Sequence, residues 1–360
     1  MKFGAMVATR ISDWQLLKFA EEHGYDCGWV PDSQMIWSDC YAVLALAAAN
    51  TSRIRLGTGV AIAGTRIAPV TAHSIASVNQ LAPGRVFLGI GTGHTAMRVM
   101  GMDPVKPKAF RDYLRVVRAL LAGEEVEYRL RGETRTIGFL HKDMGFFDVE
   151  HRVPIYVAAN GPLALQAAGA FGDGRISAGS EPPAVLANSL ALAQAGATER
   201  GRALPSDFHT AALSFACVLK PGEKLDSERV KERVGAMVTA SLHFWWELAK
   251  QRGSDDFIRP EVRDDWDRYL AFLDRLGIPD DRLHLRIHDG HCTYVHPDER
   301  QFVTPSLIRA SGGLVGAPDE IIATLRTQER AGLKEVTLLP PMASARESFA
   351  EFAEHVIERY

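Results

Sequence analysis

Short, nearly continuous apolar runs recur along this chain, and amphipathic stretches of helical period separate them. The runs are Lys2–Ala8, Cys27–Pro31, Arg53–Ile62, Arg85–Gly91, Pro154–Ala159, Gly174–Gly179, His209–Leu219 and Glu335–Pro340. A strand that is apolar on both faces must be buried on both, which parallel strands joined by crossover helices achieve. The helix signals fall between the runs. Ser12 or Asp13 caps a helix through Leu16, Leu17, Phe19 and Ala20 that stops near Gly24. Asp39 starts a second that stops at Asn50, and Pro69 opens a third to Leu81. Further helices are predicted over 106–121, 162–171, 182–200 and 344–359.

Eight strands alternating with about eight helices predict the α/β class and a (β/α)8 TIM barrel with insertions. A doubly wound open sheet is the competitor. It is disfavoured because GIGTGH supplies Gly89, Gly91 and Gly93 but no further glycine at dinucleotide-binding spacing. Two stretches break the alternation, at about 124–152 and 221–312, the larger lying before the last barrel strand. The expected organisation is a single domain, 1–360, carrying both insertions.

Composition narrows the function classes. A 46% hydrophobic chain of 360 residues with net charge −3 has ample core and no electrostatic bias towards nucleic acid or acidic membranes. No apolar run is long enough to span a membrane. Cys27, Cys40, Cys217 and Cys292 are widely spaced, so no disulfide framework is expected. The N-terminal MKFGAMVATR moves straight into strand pattern, and a cytoplasmic location is the expectation.

In a (β/α)8 barrel, chemistry lies at the C-terminal ends of the strands. Three of those ends are glycine-rich, GTGV (57–60), GIGTGH (89–94) and AANG (158–161), and small residues let a planar ligand or a phosphate approach the backbone. His94 follows GIGTG, where an imidazole can donate a hydrogen bond or act as acid or base near neutral pH; a solvated loop histidine is the plainer alternative. Asp32 follows the second strand and reads either as a site carboxylate or as a turn aspartate. Arg98 is one helical turn on, within reach of a phosphate or of Asp103. In HLRIHDGHCTYVH (284–296), His288, His291 and His296 have spacings a zinc site could use, although incidental structural histidines are the commoner outcome. Trp245 and Trp246, beside Phe244, form either the insertion's own small core or an aromatic ligand wall.

The segments Arg53–Gly93, Pro154–Ile176 and Gly313–Pro340 resemble the bacterial-luciferase-like superfamily of flavin-dependent TIM-barrel oxidoreductases, in the branch that includes methylenetetrahydromethanopterin reductase. The resemblance covers most of the chain in order and is weakest over 221–312. It implies FMN at the barrel mouth, or alternatively the deazaflavin coenzyme F-420. It implies a cis peptide or bulge at Gly59–Val60, with Thr92, Gly93 and His94 against the ring. Ala159, Asn160, Gly161, Ala178, Gly179 and Ser180 would hold the ribityl chain and phosphate, with His94 and Asp32 as catalytic groups. The 221–312 insertion would form a lid carrying Trp245, Trp246, His288 and His291 over a bulky or aromatic small-molecule substrate. The activity implied is a monooxygenase using reduced FMN from a separate flavin reductase and O2. The alternative is an F-420-dependent reductase or dehydrogenase transferring hydride. A zinc-dependent barrel hydrolase is a distant third, lacking an early HxH pair, and a flavin-binding barrel without turnover is the non-enzyme reading. The superfamily has no catalytic metal, and its members are usually homodimers.

Overall fold

The computed structural model describes all residues, 1–360. Eight parallel strands form one closed sheet: β1 (Lys2–Met6), β2 (Cys27–Val30), β3 (Arg55–Thr58), β4 (Val86–Gly91), β5 (Ile155–Ala158), β6 (Gly174–Ser177), β7 (His209–Ser214) and β8 (Glu335–Leu338). The hydrogen-bonded order runs β3–β2–β1–β8–β7–β6–β5–β4, and a further β3–β4 pairing through Leu56 with Val86 and Gly57 with Phe87 closes it. This is the (β/α)8 barrel expected, and every one of the eight apolar runs supplies one of its strands.

Helices α1 (Trp14–Glu22), α2 (Cys40–Asn50), α3 (Ala68–Leu81), α4 (His94–Val99), α5 (Pro107–Leu121), α6 (Pro162–Phe171) and α7 (Pro183–Thr198) connect the first seven strands. Asp39 caps α2 as its sequence position predicts, accepting the backbone N–H groups of Tyr41 and Ala42. Four of these helices open on a proline at the first or second position, where its missing N–H costs nothing. No helix is long and apolar enough to cross a membrane.

The chain divides into two compact units, residues 1–213 with 327–337, and residues 214–326 with 338–360. In the first, the barrel is filled rather than hollow. Contacts between strands that are not neighbours must cross the lumen, and there are several. Trp29 on β2 donates its indole N–H to Glu335 Oε1 on β8 at 2.6 Å and meets Phe87 on β4 edge-on at 4.4 Å. Tyr156 on β5 stands 6.1 Å from Trp29, ring to ring, and accepts from Arg55 on β3 at 3.1 Å. Between the neighbouring strands β7 and β8, His209 Nε2 pairs with Glu335 Oε2 at 2.9 Å. Burial alone would raise the Glu335 pKa, but the His209 charge and the donors around the carboxylate outweigh it and hold it below the ordinary value.

The second unit fills the unassigned stretch 221–312 with helices around their own core and includes the helix expected over 344–359. Its principal elements are α8 (Glu228–Arg252), α9 (Arg263–Arg275), α10 (Asp280–His288), α11 (Pro305–Ala310), α12 (Pro318–Arg330, whose last residues belong to the first unit) and α13 (Ala345–His355). Val230, Val234, Val238 and Leu242 follow a helical period down one face of α8 and bury against Trp266, Tyr269, Phe272 and Phe302. Trp245 and Trp246 are half-buried against this same core.

Two strand boundaries differ from the sequence expectation. The run 53–62 does not continue as one strand; it breaks after Thr58 and resumes at Ala61–Ile62. The run 209–219 breaks at Phe215, and Ala216–Val218 leaves the barrel sheet to pair with Leu314–Gly316. The first break falls at Gly59–Val60, where the family resemblance implied a cis peptide or bulge, whereas hydrophobicity continues through Phe215 and carried no sign of the second.

Candidate active site

The strand ends named above form a continuous rim in the first unit. Asp32, just past β2, accepts the Ile62 N–H at 3.2 Å and the Arg66 guanidinium at 2.7 Å, both on Oδ2, while Oδ1 accepts Gln34. Arg66 also holds Asp39 at 2.7 Å and lies over the Tyr41 ring. Burial tends to lower the Arg66 pKa, but the Asp32 charge and hydrogen bond raise it beyond the ordinary arginine value. The Cys40 thiol is pushed well up by burial and then by the neighbouring Asp32 charge, so it is no nucleophile.

Next along the rim, the Gly59–Val60 peptide is cis, in the place the family resemblance implies. The Gly59 N–H reaches back to the Val30 carbonyl at 2.7 Å. Val60 flanks Gly91, whose position on β4 also adjoins Ala158 on β5. Gly93 is left-handed, with φ at +83°, and turns the chain into α4. His94 is therefore not a free loop residue: it is the first residue of a short helix, and it is exposed. Thr92 is half-buried, and its carbonyl accepts the Val105 N–H at 3.1 Å.

Beyond β5 and β6 the rim becomes a cradle of backbone. Ala159 donates its N–H to Ile176, and Asn160 Oδ1 accepts the Ala178 N–H at 3.3 Å, so the two loops are tied together. Gly161 precedes α6, and a side chain added there or at Gly179 would meet nothing within 4 Å. Gly179 has φ at +118°, which excludes most other residues. The Ser180 hydroxyl and the Arg175 Nε beneath are buried without a hydrogen-bond partner. Open space, spare donors and a helix N-terminus together suit an anion such as a phosphate, so these residues fit the cofactor the fold implies. Arg175 and its partner Glu181 were not found by sequence reasoning. An arginine inside the apolar run 174–179 was the available signal.

The remaining site candidates lie in the second unit. His288 Nε2 pairs with Glu247 at 2.9 Å, and His243 Nε2 with Glu299 at 3.2 Å, each pair buried. The His291 ring stands edge-on to His288 at 5.5 Å, and His296 Nδ1 is bonded to Asp298. The three histidines whose spacing suggested zinc thus face different carboxylates or one another. No group of three His, Cys, Asp or Glu side chains is arranged to hold a metal ion.

Comparison with known proteins agrees with this architecture. A family model described as luciferase-like monooxygenase matches residues 13–335. A 5,10-methylenetetrahydromethanopterin reductase of Methanolobus tindarius is 34% identical over 227 residues, 62% of this chain and 65% of that protein. An F420-dependent glucose-6-phosphate dehydrogenase of Nocardia farcinica is 36% identical over 228 residues, 58% of this chain and 66% of that one. The matched stretch thus spans just under two thirds of these relatives. Among solved structures, the coenzyme F420-dependent tetrahydromethanopterin reductase of Methanopyrus kandleri superposes with a TM-score of 0.70 at 21% identity, over 100% of this chain and 99% of that one. An F420-dependent secondary alcohol dehydrogenase holding an F420–acetone adduct gives 0.66 at 19%, over 99% and 98%; at these identities the likeness speaks for the fold. With the family model covering most of its length and a closed (β/α)8 barrel carrying the rim just described, this chain belongs to the luciferase-like monooxygenase family.

Proposed function

We propose that this chain is an oxidoreductase that uses the deazaflavin F420 to move a hydride to or from a small organic substrate. The observation that carries the reading is the activity in the names of the two relatives described above. One is an F420-dependent dehydrogenase, and the other is a reductase of the kind whose Methanopyrus kandleri structure is described as coenzyme F420-dependent. This favours the hydride-transfer alternative over the FMN monooxygenase as the first reading.

When bound, the deazaflavin supplies a carbon that accepts or gives a hydride and does not require O2. The chain's own residues do the rest. Backbone N–H groups of Asn160, Gly161, Gly179 and Ser180 and the N-terminus of α6 bind the phosphate. Gly59, Val60, Thr92 and Gly93 shape the wall against which the ring lies. Asp32 and Arg66 hold that wall in register through the Ile62 N–H. His94 stands at the end of β4, where its imidazole can hold or move the proton that accompanies a hydride.

A second reading, reduced FMN with O2, is supported by the description of the matching family model. Fluorescence titration of the purified protein with F420 and with FMN separates the two. The proposal expects micromolar or tighter F420 binding and oxygen-independent turnover. Tight FMN binding with no F420 binding, and O2 uptake with reduced FMN, overturns it.

A further inference from the structure

Arg175 lies on β6 with no exposed surface. Its Nη1 donates to the Ala159 carbonyl at 3.1 Å and to Glu181 Oε1 at 3.2 Å, and its Nη2 is bonded to Glu181 Oε2. The guanidinium therefore joins the loop after β5 to the loop after β6, the two halves of the anion cradle. A buried guanidinium normally has its N–H groups satisfied, because each unmade hydrogen bond is costly. Here Nε has no partner, and neither does the Ser180 hydroxyl beside Glu181. The asymmetry in exposure matters as well. The Glu181 side chain is 16% exposed while that of Arg175 is 1% exposed, so the carboxylate occupies the solvent side of the pair. A staple whose only task was to tie the loops would need neither the buried charge nor the spare donors.

We propose that Arg175 and Glu181 are a specificity-determining pair for the phosphate. The buried guanidinium supplies positive charge beneath the cradle, and the Glu181 carboxylate, as a built-in competitor, limits how much of it a bound phosphate feels. The inference rests on the reading of the cradle as a phosphate seat for the cofactor. Its consequence is a difference in sign. Removing the anion leaves the guanidinium uncompensated and tightens phosphate binding, whereas removing the cation leaves an anion beside the phosphate and weakens it. A purely structural tie predicts loss in both cases.

The test uses Glu181→Gln, which keeps an acceptor for Arg175, and Arg175→Met, which keeps the bulk of the side chain. Dissociation constants are measured for F420 and for its phosphate-free deazaflavin chromophore at low and moderate salt. Glu181→Gln is expected to bind F420 about threefold to tenfold tighter, with a steeper salt dependence and no change for the chromophore. Arg175→Met is expected to bind F420 more weakly by a similar factor. If Arg175→Met does not fold, the sign for Glu181→Gln alone decides. Equal or weaker F420 binding by Glu181→Gln, or an equal shift for the chromophore, overturns the proposal. Wild-type protein that takes FMN and not F420 overturns the cofactor reading only, and the same variants are then compared on FMN and riboflavin. Wild-type protein that binds neither overturns both.

Discussion

Asp32 shows how a single side chain changes meaning between sequence and structure. Its place after β2 marks it as a site residue, yet both carboxylate oxygens are taken, by Gln34 on one side and by Arg66 and the Ile62 N–H on the other. It is 2% exposed. A carboxylate so held orients the segment that follows the Gly59–Val60 bond. Its partner lies 34 residues along the chain, a distance no local pattern signals. We expect Asp32→Ala to lower unfolding free energy by about 2 kcal/mol, since it leaves the half-buried Arg66 guanidinium with Asp39 as its one carboxylate partner and strands the Ile62 backbone donor. Asp32→Asn should lose less. A urea midpoint for Asp32→Ala within error of wild type would show that the pair braces nothing. His94 is the opposite case, exposed and at a helix start, where a side chain contributes little to the core. His94→Ala should keep the fold and most cofactor affinity while turnover falls at least about 100-fold, as loss of one placed donor or acid typically does. Near-normal turnover with cofactor bound would make His94 a bystander.

At the scale of elements, the cradle depends on how α6 and α7 cross. A Cβ on Gly169 would stand 1.7 Å from the Ala193 carbonyl oxygen, and one on Gly196 would stand 1.9 Å from that of Gln166. Backbone therefore meets backbone at this crossing, and neither side has a flexible group to move aside. Gly169→Ala should cost at least about 3 kcal/mol, and the double variant with Gly196→Ala less than the sum, because the first change already separates the helices. Gly161→Ala, which meets nothing, should stay within about 0.5 kcal/mol by chemical denaturation. Equal costs at the three sites would contradict the crossing geometry. The existence of both helices was legible in the sequence, from Pro162 and Pro183 and the apolar spacing after them; the role of these two glycines was not, because closeness of two helices is a tertiary fact. The same division runs through the barrel. All eight strands could be read from apolar runs because each is buried on both faces. The break after Thr58 was expected only from the family resemblance, as a cis peptide or bulge at Gly59–Val60, and the one at Phe215 was not expected at all, since hydrophobicity continues past both. The 221–312 region was unreadable as barrel for a sound reason: it is helical with a core of its own, and its aromatic residues, Trp266 and Phe302 among them, serve that core.

Across the whole molecule, buried titratable groups predict a stability dome with two differently shaped limbs. Burial, then the His288 and His243 charges, lower the His291 pKa from 6.5 to about 3. The unfolded chain therefore takes up a proton that the folded chain refuses, and stability falls as pH drops below about 6.5, by about 2 kcal/mol at pH 5. Glu335 and Glu21 act lower. Their folded pKa values are depressed against burial, Glu335 by His209 and its donors and Glu21 by the backbone N–H groups of Ile54, Arg53 and Ser52. Their contribution is present above the ordinary carboxylate range and is lost as pH falls through their folded values, steepening the limb below about pH 4. On the alkaline side, burial raises the Cys292 thiol to about 12 and Cys217 to about 11. Unfolded thiols ionise from about pH 8.5 while these stay protonated, so that stability is lost as pH rises towards the folded values. His291 and Cys292 are adjacent, so one short loop helps set both limbs. Urea midpoints of wild-type protein measured from pH 4 to 10.5 should therefore show a shallow acid shoulder starting near 6.5. His291→Gln should flatten that shoulder without moving the alkaline limb, and Cys292→Ala should soften the alkaline limb without moving the shoulder. A shoulder that survives His291→Gln unchanged would mean that another group sets the acid limb.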